Sequence, residues 1–406
     1  MQRVISFFGL FVMMGLAFLF CPRKQRQALE LRVVLGGLGL QLLFALLILK
    51  TPARILFDWA DTAIKTLLGF ADQGAQFLFG QLATDVQGYG LAVKIGGSIV
   101  FFSSLMAVLY YLGVMQVIVS LMARVMAKLM GTSGAESLSA AANIFVGMTE
   151  APLMIRPFVS LLTESELFAV MTAGLATVAG GVMAFYVSIL QDKVPGIAGH
   201  LLTASVMSAP AALVIAKLMQ PETGEPVTRG EVKVQLERLD VNLIDAAARG
   251  AAEGLKLAAN VAAMLLAFIA LVKMVNAGLG LVGLSLEQIF GWVFAPLAWV
   301  MGVPSEDVTT VANLLGIKTV VNEAVAYTEL AKLLADPTVH LHPRSLLIAS
   351  YALCGFANFG SIAILIGGVG GMAPERRSDL SRLGLKSLIG GSLAAFMTAC
   401  IAGLLG

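Results

Sequence analysis

Eight stretches of this chain are apolar over about the length a helix needs to cross a bilayer's hydrocarbon core of roughly 30 Å. They are residues 4–20, 33–49, 95–122, 167–190, 197–218, 257–275, 346–367 and 387–405. Within hydrocarbon every backbone N–H and C=O must be satisfied by the protein itself, and runs this long select helices for that purpose. The fold class that follows is an all-α membrane protein with eight transmembrane helices. Composition agrees: 58% of the 406 residues are hydrophobic and 13% charged, against about a quarter charged in soluble domains. The net charge of +2 is scattered over short loops without a continuous basic face, which argues against a nucleic-acid partner. Cys21, Cys354 and Cys400 lie far apart, with no CxxC pair or Cys/His spacing, so neither a disulfide framework nor a zinc site is expected. Run 4–20 continues into Cys21-Pro22-Arg23-Lys24 without a small-x-small cleavage site and reads as a retained first span.

Positive residues collect after the first span (Arg23, Lys24, Arg26, Arg32), the third (Arg124, Lys128), the fifth (Lys217, Arg229, Lys233, Arg238) and the seventh (Arg376, Arg377, Arg382, Lys386). Positive loops stay cytoplasmic, which puts both termini outside. Residues 51–90 interleave Arg54, Asp58, Asp61 and Lys65 with apolar residues, the pattern of helices lying along the interface. Residues 279–303 are apolar but interrupted by Gly283, Glu287, Gly291 and Pro296, which fits a second interfacial or irregular element. The hydrophilic stretch 221–240, PETGEPVTRGEVKVQLERLD, reads as an exposed cytoplasmic linker dividing the chain in two.

The halves resemble one another. Met130-Gly131 precedes Ala142-Asn143 and then Thr149-Glu150; Met301-Gly302 precedes Ala312-Asn313 and then Asn322-Glu323. The offsets are 171 residues for the first pair and 173 for the two glutamates. By the topology above, residues 131–157 start and end on the cytoplasmic side and residues 304–333 outside. That pattern describes an inverted repeat built around two re-entrant hairpins, and interrupted apolar segments in corresponding places point to a binding site near the membrane midplane.

The stretch NIFVGMTEAP, residues 143–152, sets Asn, Thr and Glu beside Gly and Pro inside an apolar run, and VVNEAVAY, residues 320–327, does the same. A charge at the bilayer centre costs about 2.5–3.5 kcal/mol on insertion scales, and broken backbone survives there only when buried in protein or lining a wet cavity. Glu150 and Glu323 should therefore line something. At a hairpin tip the returning helix exposes unpaired N–H groups, which Thr149 or Asn322 can cap while the positive dipole end favours the carboxylate; Pro152 suits such a first turn. The alternative use of these charges is internal, with Glu150 paired to Arg156 and Glu323 to Lys318. Asn143 and Thr177 offer neutral oxygens of the kind a small alkali cation accepts together with freed carbonyls. Run 175–185, LATVAGGVMAF, carries Gly180-Gly181 in mid-span, a place for unwinding or simply for close helix packing. Phe356, Asn358 and Ser361 polarise ALCGFANFGSIAILIGGVGG, residues 352–371. Asn358 and Ser361 share a helix face, and Phe356 joins them only if the helix is distorted. The set suits a flat, hydroxylated ligand, or else hydrogen bonds to a neighbouring helix. The glycines of residues 352–371 do not complete GxGxxG and no strand precedes them, GTSGAES (residues 131–137) lacks GxSxG, and there is no HExxH, so a nucleotide fold and membrane hydrolases lack support. His200, His340 and His342 fall at loops and read as solvated, and the nineteen methionines as core filler.

Together GMTEAPLMIRPF (residues 147–158), AANIFVG, VVNEAVAY, CGFANFGSIAI and APERR (residues 373–377) resemble the concentrative nucleoside transporter family, from about Arg124 to the C-terminus. The resemblance implies a sodium-coupled symporter importing nucleosides by an elevator-type movement, a homotrimer in which a scaffold holds a mobile transport domain. It implies that Met148, Thr149, Glu150 and Val182 face the nucleobase. Glu323, Asn358 and Ser361 would hold the ribose hydroxyls and Phe356 would pack on the nucleoside. Sodium would take the side chains of Asn143 and Thr177 and the carbonyls of Val146 and Val178. The implied division is residues 1–128 mainly scaffold, 129–220 the first transport repeat, 221–240 linker, 241–300 scaffold and 301–406 the second transport repeat. Met148 stands where many pyrimidine-preferring relatives carry Gln, and a thioether cannot donate to a uracil carbonyl; Ala324 stands where Phe is frequent. Proton coupling, or a different small polar solute, is the alternative reading. No enzyme activity and no cofactor besides the coupling ion is expected, and a bacterial inner membrane is the expected location.

Overall fold

The computed structural model describes residues 1–50, 54–83, 90–230 and 240–406. Among the described residues the chain is helical, without strands. In order, the helices are α1 (Gln2–Leu19), α2 (Leu31–Lys50), α3 (Arg54–Phe79), α4 (Gly90–Tyr111), α5 (Val114–Met130), α6 (Gly134–Ala142), α7 (Glu164–Ala176) and α8 (Gly180–Leu190). Then come α9 (Ile197–Met219), α10 (Leu243–Gly280), α11 (Leu286–Val300), α12 (Val308–Val320), α13 (Glu323–Leu333), α14 (Pro343–Leu353), α15 (Phe359–Met372) and α16 (Arg377–Leu405). Residues 221–230 of the sequence-derived linker are coil and turn; the rest of that linker up to residue 239, with Lys233 and Arg238, lies outside the described residues, as do 51–53 and 84–89.

By length and composition, five helical stretches among the described residues can cross a bilayer: Gln2–Leu19, Leu31–Ile48, Glu164–Leu190, Ile197–Met219 and Pro374–Leu405. Three of the apolar runs expected to be continuous spans are broken. Run 95–122 ends as a helix at Tyr111 and turns by 77° into α5, because Gly113 takes φ +80°, a left-handed conformation that costs a glycine little. Run 167–190 is interrupted at Thr177 and Ala179, both extended, and run 346–367 between Cys354 and Asn358. Residues 279–303, expected to be interfacial or irregular, are mostly the regular helix α11, started by a Ser285–Gln288 capping box.

Helices α7 and α9 bury almost every residue, as does α16 from Gly390 to Gly403, and they form the core with α6, α14 and the breaks around them. Outside them, α1, α2 and α5 expose Phe7, Phe8, Phe11, Leu35, Leu43, Val117 and Leu121, the apolar faces a lipid solvent accepts. Helix α10 lies along α4, where Gly250 and Gly254, one turn apart, abut Ser103, Ser104 and Ala107, the small-xxx-small contact by which membrane helices approach.

Capping boxes at Ser133–Glu136 and Thr163–Glu166 start α6 and α7. Between them Lys217, in the last turn of α9, places its ammonium 2.7 Å from Glu136 and 2.9 Å from the Ser165 hydroxyl. Both charges are buried, so each depends on the other to offset its desolvation. In the second half Asp307, just before α12, accepts from the Ser345 hydroxyl and the His342 backbone N–H at the start of α14. The expectation that the histidines are solvated holds for His340 and His342, which are exposed, His342 Nδ1 accepting from the Arg344 N–H at 3.1 Å. His200 instead lies in the first turn of α9, half-buried and edge-on to Tyr351.

The two interrupted spans meet at their breaks. The Phe356 N–H donates to the Thr177 carbonyl at 3.2 Å, and Gly355 presses so closely that an added Cβ would stand 3.0 Å from the Ala176 carbonyl oxygen. Backbone cannot yield there as a flexible side chain could. Gly355→Val is expected to destabilise the fold by roughly 1–3 kcal/mol, seen as a lower unfolding temperature in detergent. Gly15→Val, where an added Cβ meets nothing within 4 Å, should leave it unchanged.

Candidate functional site

The second hairpin tip is built from helix ends. Asn322 is extended and its Oδ1 accepts the Val325 N–H at 2.9 Å, capping α13, as the sequence expects. This makes Glu323 the first residue of α13, at the positive end of its dipole. One carboxylate oxygen of Glu323 accepts from the Tyr186 hydroxyl of α8 at 2.9 Å, and the other from Asn358 Nδ2 at 2.9 Å. Asn358 serves twice, because its Oδ1 also caps α15 by accepting the Ser361 N–H at 2.8 Å. One amide therefore ties the starts of two helices, and Glu323, Asn358 and Ser361 are all buried. Beneath them the rings of Tyr186 and Tyr327 stack with centroids 4.5 Å apart.

The first tip differs. Its returning segment, Ala151–Leu161, is a 3₁₀ rather than an α-helix and has no side-chain cap, so Thr149 does not take the capping role its position suggested. Pro152 and Pro157 each remove a backbone donor from this short segment. Met148 is buried against Gly174 of α7, and Thr149 packs on Gly368 of α15. Glu150 is exposed, its carboxylate folded over Gly147, in contrast to the enclosed Glu323. Val182 is buried on α8 one turn from Tyr186. Gly368 is ten residues beyond Asn358, about 15 Å along a helix, so Thr149 and Glu323 reach α15 at different heights.

Around the α7 break sit the residues expected to hold a cation. Asn143 ends α6; its Nδ2 donates to the Ser139 carbonyl at 3.1 Å while its Oδ1 is buried without a partner. The Thr177 hydroxyl donates to the Ala173 carbonyl at 3.1 Å, leaving its lone pairs for another group. The Phe145 carbonyl accepts the Gly180 N–H at 3.0 Å, which joins the first tip to the start of α8 and sets Val146 and Val178 beside the break. Among the described residues the Val146 and Val178 carbonyls accept no hydrogen bond. An orphaned buried acceptor costs about 1–3 kcal/mol, and a small cation is a group that would satisfy this neutral oxygen set.

The structure thus joins Glu323, Asn358 and Ser361 directly, with half-buried Phe356 at the crossing, and gathers Asn143 and Thr177 at the other break. The suggested pairing of Glu323 with Lys318 does not form: Lys318 Nζ donates to the Ala352 carbonyl at 2.7 Å. Tyr186 escaped the sequence reading, yet it stands four residues after Val182 on the same helix face, which was its available signal.

Three family models described as Na+ dependent nucleoside transporter N-terminus, nucleoside recognition gate and Na+ dependent nucleoside transporter C-terminus match residues 8–82, 92–193 and 200–403. An uncharacterized transporter of Haemophilus influenzae is 45% identical over 100% of this chain and 98% of its own. Solute carrier family 28 member 3 of Mus musculus is 45% identical over all of this chain, which spans 59% of that relative's length. The solved structure of CNTnw in an inward-facing substrate-bound state is 44% identical with a TM-score of 0.91, covering 100% of this chain and 98% of its own. A doubly substituted CNTnw in an outward-facing state gives 0.93 at 44% identity, covering 100% and 99%. With matches along its whole length, this chain belongs to the Na+ dependent, or concentrative, nucleoside transporter family.

Proposed function

We propose that this protein is a sodium-coupled symporter that carries nucleosides inward by moving one part of the molecule against a stationary scaffold. The observation that carries this reading is the enclosed Glu323 carboxylate, held by Tyr186 and Asn358 at the meeting of two helix N-termini. Such a carboxylate and amide accept from and donate to vicinal hydroxyls, so a ribose would exchange its water for Glu323, Asn358 and Ser361. Phe356 packs on the nucleoside, and the base reaches toward Met148, Thr149, Glu150 and Val182, across the interval along α15 that separates the two tips. Met148 offers the base no donor, which suits purines as well as pyrimidines.

Sodium binds at Asn143, Thr177 and the carbonyls of Val146 and Val178, and the orphaned Asn143 Oδ1 supports this. The ion straddles the end of α6 and the α7 break, so it favours the arrangement in which the first tip is ordered. A differential contact of this kind is what coupling requires. In this reading the chain has eight spans and two re-entrant hairpins, both termini outside, and assembles as a homotrimer in a bacterial inner membrane. Residues 129–220 and 301–406 travel, while 1–128 and 241–300 stay.

Glu323→Gln puts an amide donor where Tyr186 and Asn358 already donate; losing a charge-assisted hydrogen bond costs about 1.5–3 kcal/mol, so uridine uptake into proteoliposomes should fall roughly 10- to 150-fold. Wild-type uptake in that variant would remove the ribose role. Tyr186→Phe should raise the half-saturating nucleoside concentration by roughly 10- to 150-fold, for one lost hydrogen bond to a charged group. Asn143→Ala should raise the sodium concentration needed for half-maximal uptake, and choline in place of sodium should stop uptake in the wild type. Uptake in choline driven by a pH gradient would make the ion a proton. Competition by uridine and adenosine but by neither uracil nor ribose alone distinguishes a nucleoside site from one for another small solute.

A further inference from the structure

The side chain of Lys318 is wholly buried, and nothing in the transport reading uses it. Its surroundings are set by the α14 break, which strips the last turn of α14 of helical donors. Three of the freed carbonyls there have found another donor: Ser350 takes the Tyr327 hydroxyl at 2.7 Å, Tyr351 the Cys354 N–H at 3.2 Å, and Ala352 the Lys318 ammonium at 2.7 Å. The ammonium also stands 5.8 Å from the Phe396 ring centroid, and no ion pair joins it to a carboxylate among the described residues. It is a positive charge held at the negative end of a half-helix.

The first half has the same break without the charge. At the end of α7 the side-chain donor is the Thr177 hydroxyl, on the Ala173 carbonyl, and the neighbouring Asn143 Oδ1 is unpaired. Matching residues of the two halves are offset by 170 (Asn143 to Asn313), 171 (Met130 to Met301) and 173 (Glu150 to Glu323). The repeat therefore sets Lys318 opposite residues 145–148, the segment that includes Val146, whose carbonyl would bind sodium.

We propose that the Lys318 ammonium is the second half's own cation, tethered to the chain. At the α14 break it takes the place that exchangeable sodium takes at the α7 break, so the second hairpin holds its shape without an ion from solution. The proposal rests on the sodium-coupled reading above. Its role toward substrate is positional: by fixing the end of α14 it fixes the start of α15, and with it Asn358 and the Glu323 carboxylate. An ion drawn from solution at both breaks would make ordering depend on two binding events, whereas the tether leaves one.

The test is uridine binding to purified protein in saturating sodium. Lys318→Met keeps the length of the side chain and removes its charge; Lys318→Ala leaves space for a free ammonium. Binding should weaken roughly tenfold or more in both, as when a charged donor leaves a buried acceptor unpaired. Methylammonium should restore binding to the Ala variant by roughly threefold or more, and tetramethylammonium, which has no N–H, should not. A purely structural lysine would not respond to an added amine. Wild-type affinity in the Met variant overturns the proposal, and so does an Ala variant that methylammonium fails to improve. Aggregation of both variants, uncorrected by methylammonium during purification, overturns it as well. Failure of the underlying reading is seen separately, in a wild-type protein that binds no uridine or binds it without regard to sodium.

Discussion

The arrangement depends on two broken helices crossing at their breaks. A continuous helix consumes its own hydrogen-bonding groups and offers a ligand nothing in a bilayer. Breaking α7 from α8 and α14 from α15 releases donors and acceptors in the middle of the core, and the Phe356 N–H to Thr177 carbonyl bond joins the two sites of release. Gly355 permits the backbones to meet. Once they cross, the ends of α6, α7, α8, α13, α14 and α15 share one neighbourhood, and each polar residue of the candidate site is a cap or an uncapped partner of one of these ends.

Buried charges follow the same economy of helix termini. Lys217 lies between two capping boxes at the starts of α6 and α7 and meets Glu136 there. Lys318 meets the freed Ala352 carbonyl at the end of α14, and Glu323 begins α13. Lys318 and Glu323 are placed where the helix dipole has the opposite sign, Lys217 at two helix starts is offset by the Glu136 carboxylate, and hydrogen bonds offset the loss of water in all three cases. Glu150 is the exception. It is exposed at a 3₁₀ tip, whereas its counterpart in the other half is enclosed. The two halves therefore supply two different electrostatic environments, and a transporter for a ligand with chemically distinct ends has use for both.

Much of this was legible in the chain. The apolar runs required helices, the recurrence of Ala-Asn and of a tip glutamate in each half revealed the repeat, and Asn322 announced its capping role through the turn it precedes. Asn358 and Ser361 were legible as a pair by their spacing. The bend at Gly113 was not, because a glycine in an apolar helix reads equally as a packing contact and only the left-handed φ decides between them. Thr149 looked like a cap and is none, since two prolines turn the following segment into a 3₁₀-helix. Tyr186 was hidden by its type: a tyrosine in an apolar run is unremarkable until a carboxylate lies opposite its hydroxyl.

By itself the sequence determined the all-helical membrane class, the twofold internal repeat and the residue types able to recognise a hydroxylated ligand and a small cation, because these depend on local hydropathy, spacing and functional groups. Only the tertiary structure decided which of those groups find one another. It gave Glu323 to Tyr186 and Asn358 instead of Lys318, and gave Lys318 to the end of α14. The physical reason is that hydrogen bonds in a dry core are settled by which orphaned helix ends lie within about 3 Å, and that proximity is created by chain crossings between residues far apart in sequence.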